Sequence, residues 1–194
     1  MATISTRTVT AEEFAAFIER PENSGRWFEL DEGEIIELPP PKPPHGFVSI
    51  NIGAMLWNYC RQRGQGYVFS NDTGVLLERD PDTVRGPDVM LYDDGATADE
   101  IVAAESYLET PPILAIEILS PSNRYSQIVK KVNQYVTAGV RLVWVIDPPA
   151  HEATAYRGDA EPEFIAPDGE LTGGDVLPGL TIKVAELFRL PGEK

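Results

Sequence analysis

The chain has 194 residues and carries 16 Lys and Arg against 31 Asp and Glu, a net charge of −15 with His neutral. That length suits a single domain, expected over residues 1–194, with a core large enough to fold without staples; 42% hydrophobic and 24% charged residues exclude a disordered chain. No apolar run is long enough to cross a bilayer, the opening lacks the apolar stretch of a signal peptide, the lone Cys60 excludes an internal disulfide or a cysteine-rich zinc site, and at face value an acidic surface argues against nucleic acid; a cytoplasmic protein without a membrane role is expected.

Thr10 and Glu13 form a capping-box pattern before an apolar repeat, predicting a helix from Ala11 to Glu19. Arg26 to Leu30 and Glu34 to Leu38 flank Asp31-Glu32-Gly33 and read as a hairpin. Pro39 to Pro44 is stiff and extended, and Val48, Ile52, Met55, Leu56 and Tyr59 then recur at helical spacing, predicting a long helix from His45 to Arg63 with Gly64 as its stop. Gly66 to Leu77 reads as a strand with an irregularity at Gly74, and Val84 to Tyr92 as a second strand interrupted by Gly86-Pro87. Asp93 to Glu109 is acidic, Ala-rich and weakly patterned, and reads as a loop with one helical turn. Ile113 to Leu119 is a nearly unbroken apolar strand, as in a strand covered on both faces. Ser120-Pro121-Ser122-Asn123 stops it and can cap a helix from Arg124 to Ala138; Leu142 to Ile146 is a further buried strand, so the three elements form a βαβ unit with parallel strands. Ala153 to Arg157 and Glu163 to Ala166 read as a hairpin, and Val184 to Phe188 as a closing helical turn.

The charge is unevenly placed. Leu38 to Asn71 contains no acid but holds Lys42, Arg61 and Arg63; Ile118 to Ile146 contains none but holds Arg124, Lys130, Lys131 and Arg141, leaving −22 for the remainder. Buried elements avoid charge of either sign, which accounts for the missing acids; a basic functional face accounts for the sign of the charges that remain. Both readings stand at this point.

Glu117 is the most informative position. A lone carboxylate within Ile-Leu-Ala-Ile-Glu-Ile-Leu must meet a metal, a cation or a solvated pocket, or else reach water at the strand end. Asp88 follows Pro87 at the start of another apolar strand; two adjacent strands that each supply one carboxylate can converge on a divalent ion, with the carbonyl of Ile118 as a third oxygen. Lys131 lies on the helix after the Glu117 strand, in a stripe with Tyr135 and Ala138, and is preferred over Lys130 as the cation that leans toward the sheet. Glu29, in a hairpin strand, and His45, at a helix start, are weaker candidates, with Glu34 as an alternative to Glu29. There is no P-loop, no G-x-G-x-x-G after a strand and no nucleophile elbow.

These segments, in order, resemble a known family. Trp27-Phe28-Glu29-Leu30-Asp31-Glu32-Gly33-Glu34, the proline run into His45, Arg85-Gly86-Pro87-Asp88-Val89, Ile116-Glu117-Ile118-Leu119-Ser120-Pro121-Ser122, Lys131 through Ala138-Gly139-Val140, Leu142 through Pro148 and Asp175-Val176-Leu177-Pro178-Gly179 are similar to the Uma-two-type restriction endonucleases of the PD-(D/E)XK nuclease superfamily. The resemblance implies an α/β fold with an α-β-β-β-α-β core, a mixed central sheet flanked by helices, an N-terminal helix and hairpin and a C-terminal β-hairpin extension. It implies one Mg²⁺ (or Mn²⁺) held by Asp88 and Glu117, with Lys131 and Glu29 completing the catalytic set; Ile118 is the expected third metal oxygen, and His45, Arg124 and Lys130 are expected on the substrate side. Position 119, where the superfamily motif has its lysine, is Leu, and Lys131 matches members in which that lysine has moved to the next helix. The expected activity is metal-dependent hydrolysis of DNA by a homodimer. A non-catalytic nucleic-acid or protein-binding module on the same fold, and a small-molecule phosphodiesterase, are the alternatives.

Overall fold

The computed structural model describes residues 8–93, 101, 103–104, 106–121, 124–158, 160–190 and 192. Helix α1 (Ala11–Ile18) starts on the Thr10–Glu13 capping box, with both reciprocal hydrogen bonds formed. Strands β1 (Trp27–Asp31) and β2 (Glu34–Leu38) form the expected antiparallel hairpin, turning through positive φ at Glu32 and Gly33. Helix α2 (Pro43–Arg63) begins two residues before His45, because prolines fit the first helical positions, where the missing N–H would have no partner anyway.

Two segments read as single interrupted strands are each divided between two sheets. Gly66 to Leu77 becomes β3 (Tyr67–Ser70) and β4 (Val75–Glu78); the second becomes β5 (Thr83–Arg85) and β6 (Val89–Tyr92). Strands β4 and β5 join the hairpin in a four-stranded sheet of order β2-β1-β5-β4. Strands β3 and β6 join β7 (Leu114–Ile118), β8 (Leu142–Asp147), β9 (Glu152–Tyr156) and β10 (Glu163–Ile165) in a six-stranded sheet of order β10-β9-β8-β7-β6-β3. Glycines stand at both crossings, for steric reasons. A Cβ at Gly86 would lie 3.0 Å from the carbonyl oxygen of Asn71, and one at Gly74 would lie 2.5 Å from the Tyr107 ring.

Only the β7–β8 pair is parallel within the larger sheet, joined through α3 (Tyr125–Thr137) as the βαβ pattern requires. In chain order, α2, β3, β6, β7, α3 and β8 make the α-β-β-β-α-β core. A ribbon of β11 (Glu170–Thr172) and β12 (Thr181–Lys183), which the sequence pattern did not reveal, precedes α4 (Val184–Phe188). The expected Ser122-Asn123 cap and most of the acidic stretch after Asp93 lie outside the described residues.

All five β7 residues are buried, and their alternation decides what each helix covers. Leu114, Ile116 and Ile118 pack with Val48, Ile52 and Leu56 of α2. Ala115 packs with Ile128, Val132 and Tyr135 of α3, so Glu117, two residues on, also faces α3. No described helix is long and apolar enough to cross a membrane.

Candidate active site

Register brings the two carboxylates together. Val89 pairs with Ile116 across β6 and β7, so Asp88, one residue earlier, comes level with Glu117. Asp88 Oδ2 accepts the Ile118 N–H at 2.7 Å, and Oδ1 meets His45 Nε2 at 3.1 Å. That hydrogen bond raises the imidazole pKa against the opposing effect of burial.

Glu117 is 5% exposed and is met from α3 by two residues four apart, which share a helix face. Lys131 Nζ donates to Oε1 and Oε2 at 3.1 and 3.0 Å, and the Tyr135 hydroxyl donates to Oε1 at 2.5 Å. Burial nevertheless pushes Glu117 up to about 7, helped by the neighbouring carboxylates of Asp88 and Glu29 and opposed by Lys131 and Tyr135. Burial also pulls Lys131 down, but Glu117 and Glu29 outweigh it and hold the ammonium above the ordinary lysine value.

The other sheet completes the site. Glu29 Oε1 lies 2.9 Å from Lys131 Nζ, and Glu29 Oε2 accepts from Arg85 at 2.8 Å. Burial raises the Glu29 pKa, but the Lys131 and Arg85 charges more than compensate and leave it below the usual carboxylate range. Arg85, 4% exposed, also meets Asp31 at 2.8 Å and donates to Gln134 Oε1 at 3.0 and 2.7 Å. Gln134 in turn donates to Asp31 at 2.8 Å. A buried chain of alternating charge thus ties the hairpin, β5, α3 and β7 together.

Of the residues singled out in the sequence, Glu29, His45, Asp88, Glu117, Ile118, Lys130 and Lys131 line one cleft of about 280 Å³. Arg124 does not line it and sits exposed at the start of α3. Glu34 lies exposed on β2, away from the cleft, whereas Glu29, Asp31 and Glu37 of the hairpin line it. Lys130 is occupied by Asp31 at 2.9 Å and Glu32 at 3.1 Å. The two acid-free windows do not form one basic face. Arg61 and Arg63 lie at the far end of α2, roughly 24 Å along the helix from His45, and Arg63 pairs with Asp93.

Sequence reasoning missed Arg85, Asp31 and Gln134, and placed Tyr135 in the Lys131 stripe without a role. The four-residue spacing of Lys131 and Tyr135 was a usable signal. Nothing local marks Arg85, whose partners lie 49 to 56 residues away.

The donor set suits a hard divalent ion. Two level carboxylates, one of them buried with a raised pKa, carry a repulsion that a cation would relieve, and Ile118 lines the same cleft. Among the described residues no three His, Cys, Asp or Glu side chains are grouped to hold a metal.

The six-stranded mixed sheet, the helices on its two faces and the paired carboxylates at the β6–β7 level define a restriction-endonuclease-like α/β protein. Among solved structures, the chain is similar to a putative nuclease belonging to DUF820 from Anabaena variabilis ATCC 29413, with a TM-score of 0.75 and 22% identity over 93% of this chain and 97% of that one. No curated protein matches the chain. The family model Uma2, described as putative restriction endonuclease, matches residues 11–185, and the chain belongs to that family.

Proposed function

We propose that the protein is a divalent-metal-dependent endonuclease that hydrolyses DNA phosphodiester bonds. One observation carries this reading: Lys131 bridges Glu117 and Glu29 beside Asp88 in a single cleft. Asp88, Glu117 and the Ile118 carbonyl would hold Mg²⁺ or Mn²⁺, which when bound would acidify a water and neutralise phosphate charge. In the metal-free site Lys131 stays protonated between its carboxylates, placed to offer hydrogen bonds and positive charge. Glu29 acts through Lys131: locked by Arg85, it fixes where the ammonium points. Tyr135 fixes the Glu117 carboxylate in the same way.

The test is cleavage of supercoiled plasmid with Mg²⁺ or Mn²⁺ by the wild type and by Asp88→Ala, Glu117→Ala and Lys131→Ala. The reading requires loss of activity in all three variants; wild-type rates in the carboxylate variants would refute the site. A non-catalytic binding module has one observation in its favour: both Asp88 oxygens are already engaged, by the Ile118 N–H and by His45. It predicts no thermal stabilisation by Mn²⁺, whereas ligation predicts a shift that is lost in Asp88→Ala. The same proposal includes a homodimer. Helix α2 has no Asp, Glu, Lys or Arg from Pro43 to Cys60 and exposes Ile50 and Trp57. Sedimentation as a monomer alone would refute that part.

A further inference from the structure

The cleft has two unlike walls. Alternation along β1 sends Trp27, Glu29 and Asp31 to the cleft side, and antiparallel register sets Leu38 beside Trp27 and Ile36 beside Glu29. Trp27, Leu38, Pro39, Pro40 and Pro41 form an apolar stretch at one end of that wall, beside the carboxylates of Glu37, Glu29 and Asp31. The opposite side is mostly polar and includes His45, Asp88, Glu117, Lys130 and Lys131. Trp27 keeps 37% of its surface exposed, and among the described residues no other ring stacks on it and no cation lies over it. An apolar, partly exposed aromatic wall a few residues from a phosphate-handling cluster is chemically divided in the way a nucleotide is.

We infer that this wall receives one unpaired nucleobase against Trp27, so that the substrate class is single-stranded or locally unpaired DNA. The inference rests on the nuclease reading above. A space of about 280 Å³ is at or below the low end for small-ligand sites and admits one nucleotide at a time. A paired base keeps its faces inside the duplex and leaves the apolar wall without a partner, whereas an extruded or single-stranded base presents its whole face for stacking. Phosphate tracking contributes little here, because Lys130 and Lys131 are both held by carboxylates of the protein.

The test is fluorescence anisotropy of an end-labelled short poly-dT strand, an abasic strand of the same length and a duplex, in Ca²⁺ and in chelator, with the wild type, Trp27→Phe and Trp27→Ala. Trp27→Leu keeps apolar volume without an aromatic ring and serves if the alanine variant does not fold. Loss of the ring is expected to weaken poly-dT binding by roughly 5- to 150-fold, with Trp27→Phe keeping most of the affinity and the abasic strand bound alike by all. Equal weakening on both strands, no weakening on either, tighter wild-type binding to duplex, or no measurable binding to the strand would overturn the inference. Base-dependent coupling to Trp27 without any metal-dependent cleavage would refute the nuclease reading and leave this one standing. Cleavage of intact duplex that is indifferent to Trp27 would do the reverse.

Discussion

Raising the pH from 5 to 8 without metal should destabilise this protein, and Glu117 should be the main reason. Its folded-state pKa is raised from 4.5 to about 7. A carboxyl with a raised folded-state pKa binds its proton more tightly folded than unfolded, so stability falls as pH rises through the interval between the two values. At 1.36 kcal/mol per unit, the interval corresponds to about 3 kcal/mol. For a chain of this size that is a fall in Tm of roughly 6–12 °C. The His45 shift is also upward and acts in the same direction: its stabilisation is lost as pH rises through its folded value. Glu29 is shifted downward, so its contribution is already complete above its unfolded value and stays constant across this window. Thermal unfolding by circular dichroism in chelator, at steps from pH 5 to 8, measures the slope for the wild type and Glu117→Gln. The glutamine variant should be flatter by about 3 kcal/mol over the range. Saturating Mn²⁺ should offset most of that fall in the wild type, because ligation takes the carboxylate and its stabilisation grows as the proton leaves; at a hundredfold excess over Kd it amounts to about 2.7 kcal/mol. Parallel slopes for wild type and Glu117→Gln would refute both the raised pKa and the burial that explains it.

Replacing Arg85 by Met should leave Glu29 and Asp31 without their shared buried cation and cost about 3–5 kcal/mol in urea unfolding; Arg85→Lys should recover only part, because an ammonium cannot reproduce the guanidinium fork. Gly74→Ala should cost about 1–3 kcal/mol by the same measurement, since its Cβ would meet the Tyr107 ring at 2.5 Å. Lys131→Met should abolish plasmid cleavage, and Leu119→Lys added to it should restore part, because position 119 lies two residues from Glu117 on the same face of the strand.

Elements with a strong local period were legible in the sequence. The α1 capping box, the hairpin at Gly33, the buried strand around Glu117 and the βαβ unit all follow from patterns within about 35 residues. The meeting of Asp88, Glu117 and Lys131 in one cleft was legible for a related reason: each carboxylate stands alone beside an apolar strand, and Lys131 shares a helix stripe with Tyr135. The sheet crossings were not legible. Gly74 and Gly86-Pro87 marked interruptions, but an interrupted strand and two strands in different sheets have the same local pattern; what separates them is the approach of Asn71 and Tyr107 from elsewhere in the chain. Arg85 was hidden for the same reason. It becomes part of the site only because β5 leaves the larger sheet and pairs with β1 at Leu30↔Val84, which brings the guanidinium to Glu29.

The sheet crossings also change what the −15 charge means for nucleic acid. Two acid-free windows suggested a basic surface, yet α2 places its arginines at the end away from the cleft, and α3 spends Lys130 and Lys131 on Asp31, Glu32, Glu29 and Glu117. The alternating charges of the site hold the two sheets together and leave little positive potential to capture a phosphate backbone. On the proposed reading, affinity for a strand would come from a metal held by Asp88 and Glu117 and from the apolar stretch around Trp27. Binding built that way releases few counterions: with one or two phosphates neutralised, log K should fall with log salt at a slope of only about −0.7 to −1.4 on single strands. A steep slope, as for a protein that tracks many phosphates, would require cations beyond those that line this cleft.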